Sequence, residues 1–375
     1  MHHVYLIPGL FGFGKLAGYD YFEHVERALE ARFEAAGERL RCTVVSAPPT
    51  ASIPYRASML AQEVGRSPPE PGARVHLIGH STGGLDARIL LAPSVRLPLP
   101  PGALAWTRQV RSVVSVNTPH FGTPLAAYFT TVAGTRVLYL LSLLTVASLS
   151  VGRLPLSLFS AVIGAINNLD DRFGVQIRVL DELTAQVLRF VGDQARGQIS
   201  DYLKHVKDDQ GGIVQLMPEV MELFNATVVD HPGVRYGCIA TAAPAPGPRR
   251  ALSMVTSPIG ALHLAVYTLV YGFASRAAAR YPYAEPDPWQ REKLEVAFAE
   301  GLRSRNVDGI VPTLSMLWGE LVWCGVADHL DIVGHFGDFD EQPRRHVDWL
   351  RSGAGFGTRD FDAMTDALAA FLLRA

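Results

Sequence analysis

A serine set between glycines, Gly79-His80-Ser81-Thr82-Gly83, follows the apolar run Val75-His76-Leu77-Ile78 and precedes the apolar-periodic segment Leu85–Leu91. A sharp turn from strand to helix strains the serine backbone, needs small neighbours, and lifts the hydroxyl to the mouth of a sheet. The plain alternative is a glycine-rich turn with no chemistry. A serine hydroxyl is a weak nucleophile at neutral pH and needs a base and an acid that orients the base. With such an elbow, the chain order is serine, then Asp or Glu, then histidine. The histidines after Ser81 are His120, His205, His231, His263, His329, His335 and His346. Asp308, in Asn306-Val307-Asp308-Gly309-Ile310-Val311-Pro312, ends an apolar segment at Asp-Gly, which presents a carboxylate at a strand end. Asp328-His329-Leu330-Asp331-Ile332-Val333 lies about twenty residues on, with room for one loop or helix between. Ser81, Asp308 and His329 are therefore the candidate nucleophile, acid and base. His335 is the rival base. His346, among Arg344, Arg345 and Asp348, reads as a solvated helix start, and His120, which precedes Asp308, as a loop histidine.

A serine attack on a carbonyl creates an oxyanion that needs two backbone N–H donors. One is expected from Thr82, directly after the serine. The other is expected from Leu10 in Pro8-Gly9-Leu10-Phe11-Gly12, because Gly9 lets the backbone turn its amide inward. The alternative for this loop is a tight turn and nothing more.

These residues need a scaffold, and the chain supplies strand and helix signals in alternation. Val4–Ile7, Arg41–Ser46, Arg74–Ile78 and Val110–Val116 read as strands. Between them, Phe22, Val25, Leu29 and Phe33 mark one helix face, Tyr55–Gly65 a second helix, and Thr82 onward a third. Alternation of this kind predicts a parallel sheet covered on both faces. From Pro124 to Asn225 the signals are helical only. Strand signals return at Val234–Ala240 and Asn306–Val311. Two apolar runs, Val137–Val151 and Pro258–Ala274, fall short of the roughly 20 apolar residues of a bilayer span. They read either as buried core helices or as a helical cover with its apolar side facing inward.

Composition excludes several classes. The 375 residues are 48% hydrophobic and 19% charged, which is core material rather than a disordered chain. Lys+Arg 34 against Asp+Glu 36 gives a net charge of -2, so no global basic field is present to hold nucleic acid. Cys42, Cys238 and Cys324 are far apart and allow at most one bridge. No GxGxxG or P-loop follows a strand, so no nucleotide or other organic cofactor is expected. The N-terminus has no basic, apolar and cleavage-site succession, so the expected location is the cytoplasm, or outside the cell by a route without an N-terminal signal.

Several segments together resemble the bacterial true lipases of the α/β-hydrolase superfamily, the group of the Pseudomonas, Burkholderia and Proteus triacylglycerol lipases. They are Leu6–Phe13 (oxyanion loop), Val75–Gly84 (elbow), Val116–Thr123 and Met217–Asn225 (end of the cap). Asp308–Val311 resembles the acid loop and His329–Val333 the histidine loop. The resemblance implies one α/β-hydrolase domain over residues 1–375, a mostly parallel central sheet flanked by helices, and a helical lid or cap insertion at about 124–225. It assigns Ser81, Asp308 and His329 as the triad and the amides of Leu10 and Thr82 as the oxyanion hole. It also implies a structural calcium that braces the histidine loop, with Asp331 and Asp287 as carboxylate ligands and His335 lending its backbone carbonyl. Pro8-Gly9 departs from the His-Gly usual in the oxyanion loop. The disulfide cysteine of some members has no counterpart near Leu314, and the signal peptide of exported members is missing.

The expected reaction is hydrolysis of carboxylic esters through an acyl-enzyme, with a lipid or ester as partner. Long-chain acylglycerols follow if Leu138, Leu140, Leu141, Leu143 and Leu144 line an opening cover at a lipid interface. A permanent cap would instead make an esterase for soluble esters, and thioesters or storage polyesters suit the same triad. A non-catalytic lipid-binding protein on this fold is the remaining alternative.

Overall fold

The computed structural model describes residues 1–12, 15–16, 19–151, 177–190, 193–247, 258–278, 283–298, 303–337, 348 and 350–375. Six strands form the central sheet: β1 (His2–Ile7), β2 (Leu40–Val44), β3 (Arg74–His80), β4 (Val110–Val116), β5 (Arg235–Ala242) and β6 (Glu320–Val326). Their order is β2-β1-β3-β4-β5-β6, and every neighbouring pair is parallel. All six residues of β1 are buried, as a parallel sheet covered on both faces requires. Period-two alternation sends Val4 and Leu6 into one core and Tyr5 and Ile7 into the other.

The first core takes Val25, Leu29 and Phe33 from α1 (Glu23–Ala35), and Phe361, Leu368 and Leu372 from α12 (Thr358–Leu373). The second takes Ala57, Leu60 and Val64 from α2 (Ile53–Arg66), and Leu85, Ile89 and Leu90 from α3 (Thr82–Leu91). The chain moves outward from β1 to β2, then returns to place β3 on the other side of β1. That reversal opens a crevice beyond the C-terminal ends of β1 and β3, the usual ligand position in open α/β sheets. Both glycine-bearing motifs end there.

Two sequence expectations differ from the structure. Asn306–Val311 is a loop closed by a single bridge between Val307 and Pro312, because Gly309 turns the chain at φ 103 before a ladder can form. The stretch between Asp308 and His329 contains β6, a strand rather than only a loop or helix. β6 is the sheet edge and most of it is half-buried, so Leu-Val-Trp-Cys-Gly-Val carries no clean alternation to announce it.

The described residues between β4 and β5 are helical, as expected: α4 (Pro124–Phe129), α5 (Val132–Val151), α6 (Ile177–Phe190), α7 (Asp193–Asp208), α8 (Gly211–Gln215) and α9 (Pro218–Thr227). Leu138, Leu140 and Leu143 are fully buried and join Leu180, Leu183 and Val187 of α6 and Ile199, Leu203 and Val206 of α7 in the first core. Leu141 is half-buried, and the Leu144 side chain lies outside the described residues. Pro258–Ala278 forms α10, and α11 spans Pro288–Ala297. Among the described residues no helix is long and apolar enough to cross a membrane.

Candidate active site

Ser81 sits between β3 and α3 with φ 54 and ψ −126, a backbone state that costs on the order of 1–3 kcal/mol. Its N–H is held by the Val116 carbonyl at 2.8 Å. Glycine is required around it. A Cβ on Gly79 would run into the Gly83 and Gly84 backbone, and one on Gly83 into the Ile7 carbonyl. Ser81 occupies the N-cap position of α3 without using its side chain as a cap, so its Oγ is not spent there. Thr82 is the first helical residue, and its N–H has no acceptor within the helix.

The loop after β1 packs directly on this serine. A Cβ on Gly9 would collide with Ser81 Cβ and stand 3.0 Å from Ser81 Oγ. Gly9–Gly12 is a turn closed by Gly12 N–H to the Gly9 carbonyl at 3.1 Å, with Phe11 N–H on the Pro49 carbonyl at 2.9 Å. Arg56 of α2 donates from Nη2 to the Pro8 carbonyl at 2.6 Å, from Nη1 to the Pro48 carbonyl at 2.5 Å, and from Nε to Asp86 Oδ2 of α3 at 2.9 Å. Among the described residues the Leu10 N–H has no acceptor. Leu10 and Thr82, the residues next to Gly9 and Ser81 where the two segments pack, thus keep amides without an acceptor among the described residues. Sequence reasoning missed Arg56 and Asp86. Their signal was a charge within an apolar helix face, Arg56 among Ile53, Ala57 and Leu60, and Asp86 beside Leu85.

His329 follows β6. Its Nδ1–H donates to Asp308 Oδ2 at 2.5 Å, while Asp308 Oδ1 accepts from the N–H groups of Ile310 (2.9 Å) and Val311 (2.7 Å). The His329 N–H also meets the Asp308 carbonyl at 3.0 Å, so the two loops are tied by backbone as well as side chain. Asp308 is fully buried. With Nδ1 carrying the proton, His329 Nε2 keeps a lone pair. His80 links this loop to the elbow: Nε2–H donates to the His329 carbonyl at 2.8 Å, and Nδ1 accepts from the Tyr21 hydroxyl at 2.8 Å. The His80 and His329 ring centroids are 4.7 Å apart. Burial, with the charges of His329 and His335, pushes His80 well below the ordinary histidine value, so it stays neutral. His80 was legible only as the unspecified position of the glycine–serine motif.

The other histidines lie elsewhere. His335 donates from Nε2 to the Tyr21 carbonyl at 3.1 Å. His120 accepts from Arg88 Nη1 at 3.2 Å and donates to Ser115 Oγ at 2.9 Å, a buried loop histidine. His346 lies outside the described residues.

The expected calcium ligands are not brought together. Asp287 is the N-cap of α11, where its Oδ1 accepts the Gln290 N–H at 2.8 Å. Gln290 in turn holds the Gly319 carbonyl just before β6 begins, whereas Asp331 follows the opposite end of that strand. The carboxylates that act on Asp331 are Asp328 and Asp348. Burial, and then neighbouring charge, pushes Asp328 up to about 6 and Asp348 up to about 7, with Asp331 also well above its ordinary value. Asp348 Oδ1 is buried without a hydrogen-bond partner. Among the described residues no three side chains converge as a ready metal-holding group. His335, expected to lend its carbonyl, donates its own N–H to the Leu330 carbonyl at 3.2 Å.

A parallel sheet with helices on both faces, an elbow serine after one strand and an Asp–His couple beyond later strands make up the α/β-hydrolase fold. Among solved structures, lipase 1 from Pelosinus fermentans shares it at TM-score 0.52 and 16% identity, over 100% of this chain and 99% of that one. Staphylococcus hyicus lipase does so at 0.51 and 16%, over 100% and 95%. EstA from Clostridium botulinum does so at 0.51 and 18%, over 99% and 87%. In sequence, the chain is 31% identical to a triacylglycerol lipase of Pseudomonas fragi over 124 residues, 33% of this chain. That match spans 36% of the relative's length. No protein-family model matches the chain.

Proposed function

We propose that the chain is a serine hydrolase of carboxylic esters, a lipase of the bacterial true-lipase type acting on long-chain acyl esters such as acylglycerols. The observation that carries this reading is the Asp308–His329 couple, bonded at 2.5 Å and tied through the His329 carbonyl to His80, whose chain neighbour is a serine held at φ 54 against Gly9. Ser81 Oγ attacks the ester carbonyl and its proton passes to His329 Nε2. Asp308 orients the ring and stabilises the imidazolium. The carbonyl electron pair moves onto the oxygen, where the Leu10 and Thr82 amides receive it. Collapse of this adduct expels the alcohol, which takes the proton from His329. Water, deprotonated by the same nitrogen, then releases the acid from Ser81. The lipase reading also draws on the name of the Pseudomonas fragi relative, with the helices of 124–225 as a cap on a single domain.

Burial of Leu138, Leu140 and Leu143 favours a second reading, an esterase with a permanent cap that takes soluble esters or thioesters. Hydrolysis of p-nitrophenyl esters from C2 to C16 beside emulsified triglyceride, with wild type and Ser81→Ala, separates them. Long-chain and emulsion activity lost in the variant is expected. Activity confined to short esters supports the esterase, and no activity on any ester leaves a lipid-binding role.

The calcium reading keeps Asp331 and gives up Asp287: an oxygen-seeking ion would brace the histidine loop through Asp331 and neighbouring oxygens rather than through a ready group of three side chains. What supports it is the unpartnered Asp348 oxygen among buried carboxylates. Calcium titration after exhaustive chelation should raise Tm, and a flat Tm sinks the reading.

A further inference from the structure

The polar groups of the oxyanion loop are accounted for nearly one by one. The Pro8 carbonyl takes Arg56, the Gly9 carbonyl takes Gly12 N–H, and Phe11 N–H goes to Pro49. One bond comes from outside the sheet and its flanking helices. Tyr202, buried on α7 of the helical segment, donates its hydroxyl to the Phe11 carbonyl at 2.9 Å. Phe11 is also the strained residue of the loop, at φ 59, where a side chain rarely settles without support.

The helix that carries Tyr202 is fixed. Ile199, Leu203 and Val206 bury its inner face. Beyond its end, Gly212 N–H meets the Thr50 carbonyl at 2.9 Å, and Gln215 accepts the Ile53 N–H at 2.6 Å. The Thr50 hydroxyl also donates to the Asp209 carbonyl. The segment 48–53 that receives these bonds is the one that holds Phe11 N–H and Arg56. α7 is thus bolted to the frame that shapes the loop.

We propose that Tyr202 is a positioning residue for the oxyanion hole, holding the Phe11 carbonyl so that the Gly9–Gly12 turn aims the Leu10 amide at the crevice. The helical segment then serves transition-state stabilisation as well as cover. This rests on the reading of Leu10 and Thr82 as the oxyanion donors.

The test is Tyr202→Phe, which keeps the ring and removes only the hydroxyl. A trifluoromethyl ketone, which adds to Ser81 and forms an oxyanion, is compared with its methyl ketone analogue, which does not. Deleting an oxyanion donor outright costs about 10²–10³ in kcat, and a misaimed one should cost about tenfold. The expected result is that loss in kcat with KM within about twofold. The trifluoromethyl ketone should weaken in parallel, while the methyl ketone is unchanged. Leu203→Ala, on the same helix, should lower Tm and leave the ratio of the two inhibitors as in wild type. Unchanged kcat and inhibitor ratio in Tyr202→Phe overturn the proposal while Ser81→Ala inactivity leaves the triad standing. An equal ratio shift in Leu203→Ala also overturns it, reducing Tyr202 to packing. Turnover retained in Ser81→Ala overturns proposal and triad together.

Discussion

Strand β3 carries two buried histidines, His76 and His80, near opposite ends of the same face, and each has a serine close by. At the N-terminal end, His76 shares hydrogen bonds of 2.8 Å with His2 and with Ser112 Oγ. At the C-terminal end, His80 bonds the His329 carbonyl, and Ser81 follows it in the chain. Under the proposed function only one end is built for chemistry. Ser112 lies within the ladder of β4, paired with His76 just past a register shift, its hydroxyl committed to His76. The carboxylate at that end, Glu38, stands 3.7 Å from His2 Nε2 and is 43% exposed. At the other end a positive-φ turn lifts the serine out of the ladder, a helix start and a glycine loop leave amides unspent, and a fully buried carboxylate holds His329. Serine and histidine side by side are therefore not a nucleophile. Under the proposed function, the end of a parallel strand, where the ladder stops and a helix begins, makes them one.

The widest contrast is between the two serines. Ser81→Ala should lower kcat by about 10⁴-fold or more, whereas Ser112→Ala should leave kcat unchanged and cost roughly 1 kcal/mol of stability as His76 loses a partner. Comparable losses of turnover in both would dissolve the comparison. Asp308→Asn comes next. The new amide would donate to His329 Nδ1 and force the proton onto Nε2, the wrong tautomer for a base. A fall of about 10⁴-fold in kcat is expected, and a small loss would remove Asp308 from its role.

Arg56 separates preparation from ingredients more finely, since it touches neither Ser81 nor His329. Arg56→Leu strands Asp86, fully buried and already pushed up to about 6 by its burial. Loss of one partner of a buried pair costs about 3–5 kcal/mol. Adding Asp86→Leu should recover most of the Tm, while kcat stays depressed because the Pro8 carbonyl is still unheld. Recovery of both would make the pair a matter of stability alone.

What the sequence disclosed follows the same divide. The elbow was legible because Gly79-His80-Ser81-Thr82-Gly83 is contiguous and strand-flanked, and the Asp308–His329 pairing because chain order narrows the choice. The residues that prepare the site were not. Arg56 meets Asp86 across 30 residues, Tyr202 meets Phe11 across 191, and His80 meets the His329 carbonyl across 249, with no local pattern to pair them. Asp287 shows the opposite error: 21 residues before Asp308 in the chain, it lies at the far end of β6 from Asp331, where it caps a helix.

The mildest probe acts through pH and reads the N-terminal end alone. Burial first, with the neighbouring charge of His2, pushes His76 down to about 3, and burial holds the adjacent His3 at about 4, against an ordinary 6.5. The unfolded chain therefore takes up protons below about 6.5 that the folded chain refuses. The contribution of these two histidines is flat above that pH and falls as pH drops toward 4, by up to about 1.4 kcal/mol per unit for each. His76→Gln, which keeps polar contacts without the titration, should flatten the fall in Tm by about one proton's worth. An unaltered slope would show that other groups carry the acid loss. A shift in the pH profile of kcat would show that the two ends of β3 communicate, which the comparison denies.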